Sequence, residues 1–193
     1  MKTFSGFLLE TLNTKPVEWN KSTDQGYRFK IDGNTYNVFF ERYDSETVEM
    51  ELSDPEVRAA IHDSGDGYET SFGVVGGKVG ITMTHVTGTG NQFLVFATVI
   101  DCIKDFMNNK GKNASFLYFA ADKSDRSRGS LYGRMLKRQL KSLGGTYTIY
   151  KDQKHPQYTY FVLVNEKNIA KHKEEEEKRL NPKKRGFFKG LFK

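Results

Sequence analysis

Residues 87–107 constrain the fold more than any other stretch, because they join a glycine turn to a long apolar run. The turn reads Thr-Gly-Thr-Gly-Asn-Gln, and the run reads Phe-Leu-Val-Phe-Ala-Thr-Val-Ile-Asp-Cys-Ile-Lys-Asp-Phe-Met. A β-rich segment at 78–86 precedes the turn and an apolar strand at 115–120 follows the run. Strand, turn, helix and strand within about 40 residues are typical of a βαβ unit. The sequence therefore predicts one long buried helix between two strands.

The two glycines of this turn fit two interpretations. Glycines let a backbone approach a ligand closely, and the unpaired N–H groups of the following helix then favour a phosphate or pyrophosphate. A plain strand-to-helix turn uses the same residues, and a Gly-x-Gly pattern alone favours this simpler interpretation. The pattern leaves both open.

The remaining segments predict mostly strands, with a second main helix. Val48, Met50 and Leu52 alternate with Glu49 and Glu51, which predicts a half-buried strand at 47–52. The other predicted strands are 27–31 and 35–42 around an Asp-Gly-Asn turn, 68–75 paired with 78–86, and 146–150 paired with 158–164. Helices are predicted at 55–61 and 127–143. The expected class is α+β, with a mixed, largely antiparallel sheet, two main helices and a closing β-hairpin.

Charge is concentrated at the C-terminal end. The chain of 193 residues has a formal net charge of +6, and residues 171–193 alone hold nine Lys or Arg and four Glu. The preceding 170 residues are nearly neutral, so the basic character belongs to the tail and not to the predicted body.

Composition excludes several classes of function. Cys102 is the one cysteine and lies in the apolar run, so it is expected to be a core residue and not a nucleophile. No histidine has metal-ligand spacing, and Ser127 and Ser130 lack a base–orienter pair for a Ser/His triad. No apolar run is long enough for a membrane span, and the apolar stretch at the N-terminus is too short for a secretion signal. A reducing, cytoplasmic-type environment is therefore expected.

The order of elements resembles that of the GNAT acyltransferase superfamily. The family's turn is Gln/Arg-x-x-Gly-x-Gly/Ala, and residues 85–90 read His-Val-Thr-Gly-Thr-Gly, which matches at Gly88 and Gly90 and has His85 at the first position. The resemblance implies that the backbone of Gly88, Thr89, Gly90 and Asn91, beside His85, holds the pyrophosphate of acetyl-CoA.

The second predicted helix extends the resemblance. Leu131 and Tyr132 stand where the family carries a Leu-Tyr pair whose tyrosine often protonates the departing thiolate. The resemblance implies that Tyr132 is the general acid. A packed helix aromatic is the simpler interpretation of the same residue. No general base stands out, because a solvated strand face accounts for Glu49 and Glu51 more simply.

The first ten residues resemble the capsid-targeting leaders of internal head proteins in T-even-type bacteriophages. Those leaders begin Met-Lys-Thr-aromatic and are cut after Leu/Ile-x-Glu by a head-maturation protease. This chain begins Met-Lys-Thr-Phe and carries Leu8-Leu9-Glu10, which fits that cut. An ordinary amphipathic start would look similar, so both interpretations stay open. Residues 1–26 are expected to be this leader and a linker, ahead of a GNAT-like domain at 27–165.

Residues 166–193 form a charged tail that ends in aromatic residues. A run of four glutamates predicts an exposed helix that ends near Pro182. The last residues of the tail interleave bases with Phe187, Phe188, Leu191 and Phe192. These four apolar side chains form one helical face, which predicts binding in a partner's groove. DNA binding through the bases is the alternative, and a plain solubilising tail leaves the aromatics unexplained.

Three functions follow as hypotheses. The leading one is a phage-encoded protein of the virion head, which acts in the host and whose domain binds acetyl-CoA as an N-acyltransferase. The second is an ordinary N-acetyltransferase of the cytoplasm. The third is a non-catalytic protein whose tail anchors it to virion proteins or DNA.

Overall fold

A computed structural model describes residues 14–75, 91–123 and 147–180, together with Gly133, Leu136 and Lys137. In chain order its elements are β1 (Trp19–Thr23), β2 (Gly26–Ile31), β3 (Asn34–Asp44), α1 (Ser45–Glu51), α2 (Pro55–Ile61), β4 (Asp66–Val74), α3 (Gln92–Asn108), β5 (Phe116–Asp122), β6 (Tyr147–Asp152), β7 (Tyr158–Asn165) and α4 (Glu166–Leu180). The described residues thus contain seven strands and four helices, besides the helical residues Gly133, Leu136 and Lys137, which confirms the α+β class. They divide into two compact units.

Unit 1 holds the described residues of 14–42, 68–75 and 91–112, together with Gly133, Leu136 and Lys137. Its strands lie in the order β1-β2-β3-β4, and β2 is antiparallel to both β1 and β3. The predicted Asp-Gly-Asn turn joins β2 to β3, with Asp32 and Gly33 both at positive φ. Apolar side chains of β2 and β3 and of α3 are buried in this unit; an example is the stack of Phe40 on Phe106, with ring centroids 3.9 Å apart.

Unit 2 holds the described residues of 43–67, 113–123 and 147–180. Its strands lie in the order β5-β7-β6, and both pairings are antiparallel, so the predicted closing hairpin of β6 and β7 is confirmed. One face of these strands packs against α1 and α2. The buried members of that core are Val48, Leu52, Val57, Ile61, Phe116, Tyr118, Tyr160, Val162 and Val164.

The strand predicted at 47–52 is wrong, because residues 47–51 belong to helix α1 and Leu52 is its C-cap. Asp44 caps the helix by accepting a hydrogen bond from the Thr47 backbone N–H at 2.7 Å. Val48 and Leu52 lie four residues apart and are both buried, whereas Met50 is 77% exposed. In a segment as short as 47–52, the spacing of the apolar residues fits both a strand and a helix. The hydrogen bond that caps the helix at Asp44 favours the helix.

The polar linker expected before residue 27 instead contains strand β1, with the sequence Trp-Asn-Lys-Ser-Thr. The helix predicted at 55–61 and the long helix after residue 91 are confirmed. The segment 78–86 and most of 127–143 lie outside the described residues; Gly133, Leu136 and Lys137 are helical, and Leu136 is buried.

Helix α4 confirms the exposed helix that the glutamate run predicted. It starts directly after β7, and none of its residues is buried. Ile169 packs partly against the core of unit 2, and the Asn168 side chain donates to the Ala114 carbonyl at 2.8 Å. The first two turns of α4 are therefore attached to unit 2.

Candidate functional site

Most residues expected to hold acetyl-CoA lie outside the described part of the chain. This applies to His85, Gly88, Thr89 and Gly90, and also to the expected general acid Tyr132. The tail residues Phe187, Phe188, Leu191 and Phe192 and the leader lie outside it as well. Of the expected cofactor residues, the structure places Asn91, at the start of α3.

Asn91 is the N-cap residue of α3, but its side chain does not cap the helix. It donates a hydrogen bond to the Asp32 carboxylate, which projects from the turn between β2 and β3. No acidic residue occurs in the first turn of α3 itself. Another element therefore supplies the carboxylate beside the positive end of this 17-residue helix. A negative charge at this end interacts favourably with the helix dipole.

Asp32 changes what this helix end can do chemically. Backbone N–H groups at a helix start attract an anion, and a pyrophosphate is the anion that the turn at 88–91 was expected to hold. A carboxylate that is hydrogen-bonded to Asn91 repels such a ligand. It also competes with the ligand for the partial positive charge at the start of α3. The sequence placed Asp32 in a hairpin turn but carried no sign that this turn meets the start of α3.

The polar side of α3 is occupied by structural contacts. Thr98 accepts a hydrogen bond from the Val17 backbone N–H at 3.1 Å, and Asp101 accepts one from the Trp19 indole at 2.9 Å. Further along, Asp105 accepts one from the Tyr27 hydroxyl at 2.7 Å. These three bonds fasten residues 17–27 to the helix.

Asp105 and Tyr27 perturb each other. Burial raises the pKa of Tyr27, and the hydrogen bond to Asp105 raises it further. Burial opposes ionisation of Asp105, but hydrogen bonds from Lys21 and Tyr27 outweigh it and lower the pKa of that carboxyl. Both groups therefore keep their ordinary charge at neutral pH, and the pair acts as a fixed link without transferring protons.

Cys102 is a core residue, as the sequence predicted. It is 0% exposed. Burial, with a smaller effect of Asp101 and Asp105, raises the pKa of its thiol to about 12. The thiolate is the reactive form of cysteine, and it is negligible at neutral pH for this group.

Glu49 and His62 lie together at the surface of unit 2. The Nδ1 atom of His62 is 3.2 Å from the Glu49 carboxylate, and its Nε2 atom is 3.2 Å from Asp63. The His62 side chain is 64% exposed. Within the described ranges no group of three or more His, Cys, Asp or Glu could hold a metal ion. Glu49 of α1 therefore contacts the His62 ring at the surface, and Glu51 is exposed on the same helix.

The last residue of β6 carries a buried carboxylate that the sequence did not indicate. Asp152 is 0% exposed. Its Oδ2 atom accepts from the backbone N–H groups of Ser53 at 2.5 Å and Asp54 at 2.9 Å, and its Oδ1 atom accepts from that of Lys154 at 2.7 Å. The backbone of His155 donates to it as well. One side chain thereby fixes both the start of α2 and the turn.

The protonation of Asp152 follows from these contacts. Burial favours the neutral acid, but the four backbone donors outweigh it and lower the pKa below its ordinary value. The group is a carboxylate at neutral pH, and its partners are backbone groups, so its role is structural.

Compared with known proteins, the chain matches no protein-family model and no curated protein sequence. Among the described helices, none combines the length and apolarity that a membrane crossing requires.

Proposed function

We propose that this chain is a phage-encoded protein of the virion head, with a GNAT-like domain that binds an acyl-CoA at residues 85–91. The support for the head location is the Met-Lys-Thr-Phe start and the Leu8-Leu9-Glu10 cut pattern. The support for the domain is the α+β class and a long buried helix that begins shortly after Gly88 and Gly90 in the sequence. On this proposal Tyr132 protonates the departing thiolate.

The head location is tested by mass spectrometry of the protein from mature particles. The expected N-terminal residue is Thr11. A protein that still begins at Met1 in mature particles contradicts the cut. If mature particles do not contain the protein, an ordinary N-acetyltransferase of the cytoplasm is favoured.

Cofactor binding is tested by titration calorimetry with acetyl-CoA. Gly90→Val should abolish binding, because its side chain fills the space that the phosphates need, while the melting temperature changes little. In a turnover assay Tyr132→Phe should lower kcat by roughly 10²-fold. The matched control is Tyr158→Phe, since Tyr158 is exposed on β7. A parent protein that binds no acetyl-CoA contradicts this half of the proposal.

A second candidate function is a non-catalytic protein whose body is a scaffold and whose tail contacts a virion protein or DNA. The observation that favours it is the contact of Asp32 with Asn91, because a fixed carboxylate at the start of α3 opposes an anionic cofactor. The calorimetric titration separates this candidate from the first.

A further inference from the structure

Strand β6 is the last strand in the order of the described sheet. Among the described strands it hydrogen-bonds to β7 alone, in a regular antiparallel register from Tyr147↔Asn165 to Asp152↔Tyr160. In an antiparallel pair, every second residue of each strand turns its N–H and C=O away from the partner. The outer side of β6 therefore presents a row of backbone donors and acceptors that fits another strand.

The side chains of β6 suit strand pairing. The first four residues are Tyr-Thr-Ile-Tyr, which are all strong strand formers, and each is partly exposed. The strand has no proline, and its register with β7 is continuous. Strand β1 differs, because its exposed Asn-Lys-Ser-Thr sequence is polar and its register shifts between Lys21 and Thr23. Charged residues and bulges of this kind hinder edge pairing, and β6 has neither in its first four residues.

We propose that β6 pairs with β6 of a second copy of this chain, antiparallel and about a two-fold axis. Such an axis keeps each residue on its own face of the sheet, so only residues an even number of positions apart can lie opposite each other. A register centred on Ile149 places Ile149 opposite its own copy. It also places Thr148 opposite Tyr150 and Tyr147 opposite Lys151.

Electrostatic complementarity between the Lys151 cation and the Tyr147 ring supports this occupant. The register brings the Lys151 ammonium to an aromatic ring and sets no like charges opposite each other. Lys151 already lies over an aromatic ring in the single chain, with its Nζ atom 5.7 Å from the Phe161 centroid. A register centred on Tyr150 would instead set Lys151 against Ile149 and lose this contact. The pairing is independent of any acyl-CoA activity.

Sedimentation velocity of the full chain over a dilution series tests the pairing. The parent should shift from dimer to monomer on dilution. Ile149→Lys puts two ammonium groups opposite each other at the axis and should raise the dissociation constant by about tenfold or more. The control is Ser22→Lys on the exposed strand β1, which should leave it unchanged. An equal mixture of Ile149→Lys and Ile149→Glu proteins should associate again, because opposite charges then meet.

A conservative variant covers the case in which Ile149→Lys impairs folding. Ile149→Cys sets two thiols opposite each other at a separation that a disulfide spans. Diamide, which accepts the two electrons and two protons, should then yield a covalent dimer, and Ser22→Cys should not. A parent that stays monomeric throughout overturns the proposal. Association that Ile149→Lys leaves intact, or that only another protein's extended strand produces, overturns it as well.

Discussion

Trp19 donates a hydrogen bond from its indole nitrogen to the Asp101 carboxylate across 2.9 Å, and this bond ties β1 to the polar side of α3. The Val17 backbone N–H makes a second tie to Thr98 on the same helix. Both ties lie after the predicted cut at Glu10. Removal of residues 1–10 therefore leaves the attachment of β1 to α3 in place.

We expect a protein that begins at Thr11 to unfold at the same denaturant concentration as the full chain. Trp19→Phe in either background should lower the free energy of unfolding by about 1 kcal/mol, because Asp101 loses its donor while the ring remains. Equilibrium urea unfolding measures both effects. A large loss of stability on removal of residues 1–10 would show that the leader belongs to the folded body.

Asp32→Asn should strengthen acetyl-CoA binding by about threefold or more if the turn at 88–91 holds the pyrophosphate. The substitution removes a negative charge next to Asn91 and keeps a side chain of the same size. Titration calorimetry measures the change.

Asp63→Asn is the matched control for that variant. Asp63 also has a positive φ, of 50° against 48° for Asp32, and asparagine tolerates this conformation equally well. Asp63 pairs with His62 on the surface of unit 2, so its loss should leave cofactor affinity unchanged. Equal affinities in both variants and the parent would contradict an anion at the start of α3.

Asp152→Asn should lower the free energy of unfolding by about 2 kcal/mol or more at neutral pH. One oxygen of the carboxylate becomes an NH₂ group, which leaves buried backbone N–H groups of residues 53–54 or 154–155 without an acceptor. Glu51→Gln, on the exposed side of α1, is the control and should have little effect.

The cost of Asp152→Asn should also depend on pH. The folded-state pKa of Asp152 lies below its ordinary value, so its stabilisation is complete above the unfolded-state pKa of about 4. The stabilisation declines as the pH falls through the folded-state pKa. Urea unfolding of parent and variant from neutral pH to pH values below 4 should show the two curves converge. A constant difference would argue against the carboxylate as its cause.

The tail prediction separates two physical causes. If Phe187, Phe188, Leu191 and Phe192 fill a groove, the affinity of the full chain for its partner should be nearly independent of salt and should fall on Phe→Ala changes. If the bases bind DNA, affinity should fall by orders of magnitude between low and physiological salt. Titration against virion proteins and against duplex DNA distinguishes them. Tight, salt-sensitive DNA binding that survives the Phe→Ala changes would refute the groove.

The sequence predicted an element correctly where its local pattern fits only one type of secondary structure. The Asp-Gly-Asn turn predicted the β2–β3 hairpin, and the long apolar run predicted α3. Residues 47–52 are too few to distinguish the period of a strand from that of a helix. Trp19–Thr23 forms a strand because β2 supplies its hydrogen bonds and α3 holds Trp19, although its composition resembles a linker.

The candidate site was less predictable, because its described contacts join residues far apart in sequence. Asp32 meets Asn91 across 59 positions, and Asp152 meets Ser53 across 99. A single sequence carries no local signal for such a meeting. Asp152 stands in a polar turn sequence that would read the same if its side chain were solvated.

The register shift between Lys21 and Thr23 limits how many copies of the chain can join. Of the two strands that end the described order, β1 and β6, only β6 pairs regularly with its neighbour, so the proposed pairing uses the one regular edge among the described strands. A second receptive edge would allow each pair to add further copies in a line, as in a filament. On the proposed pairing, the irregular register of β1 therefore keeps association through β6 finite, and a substitution that straightened β1 would risk polymerisation.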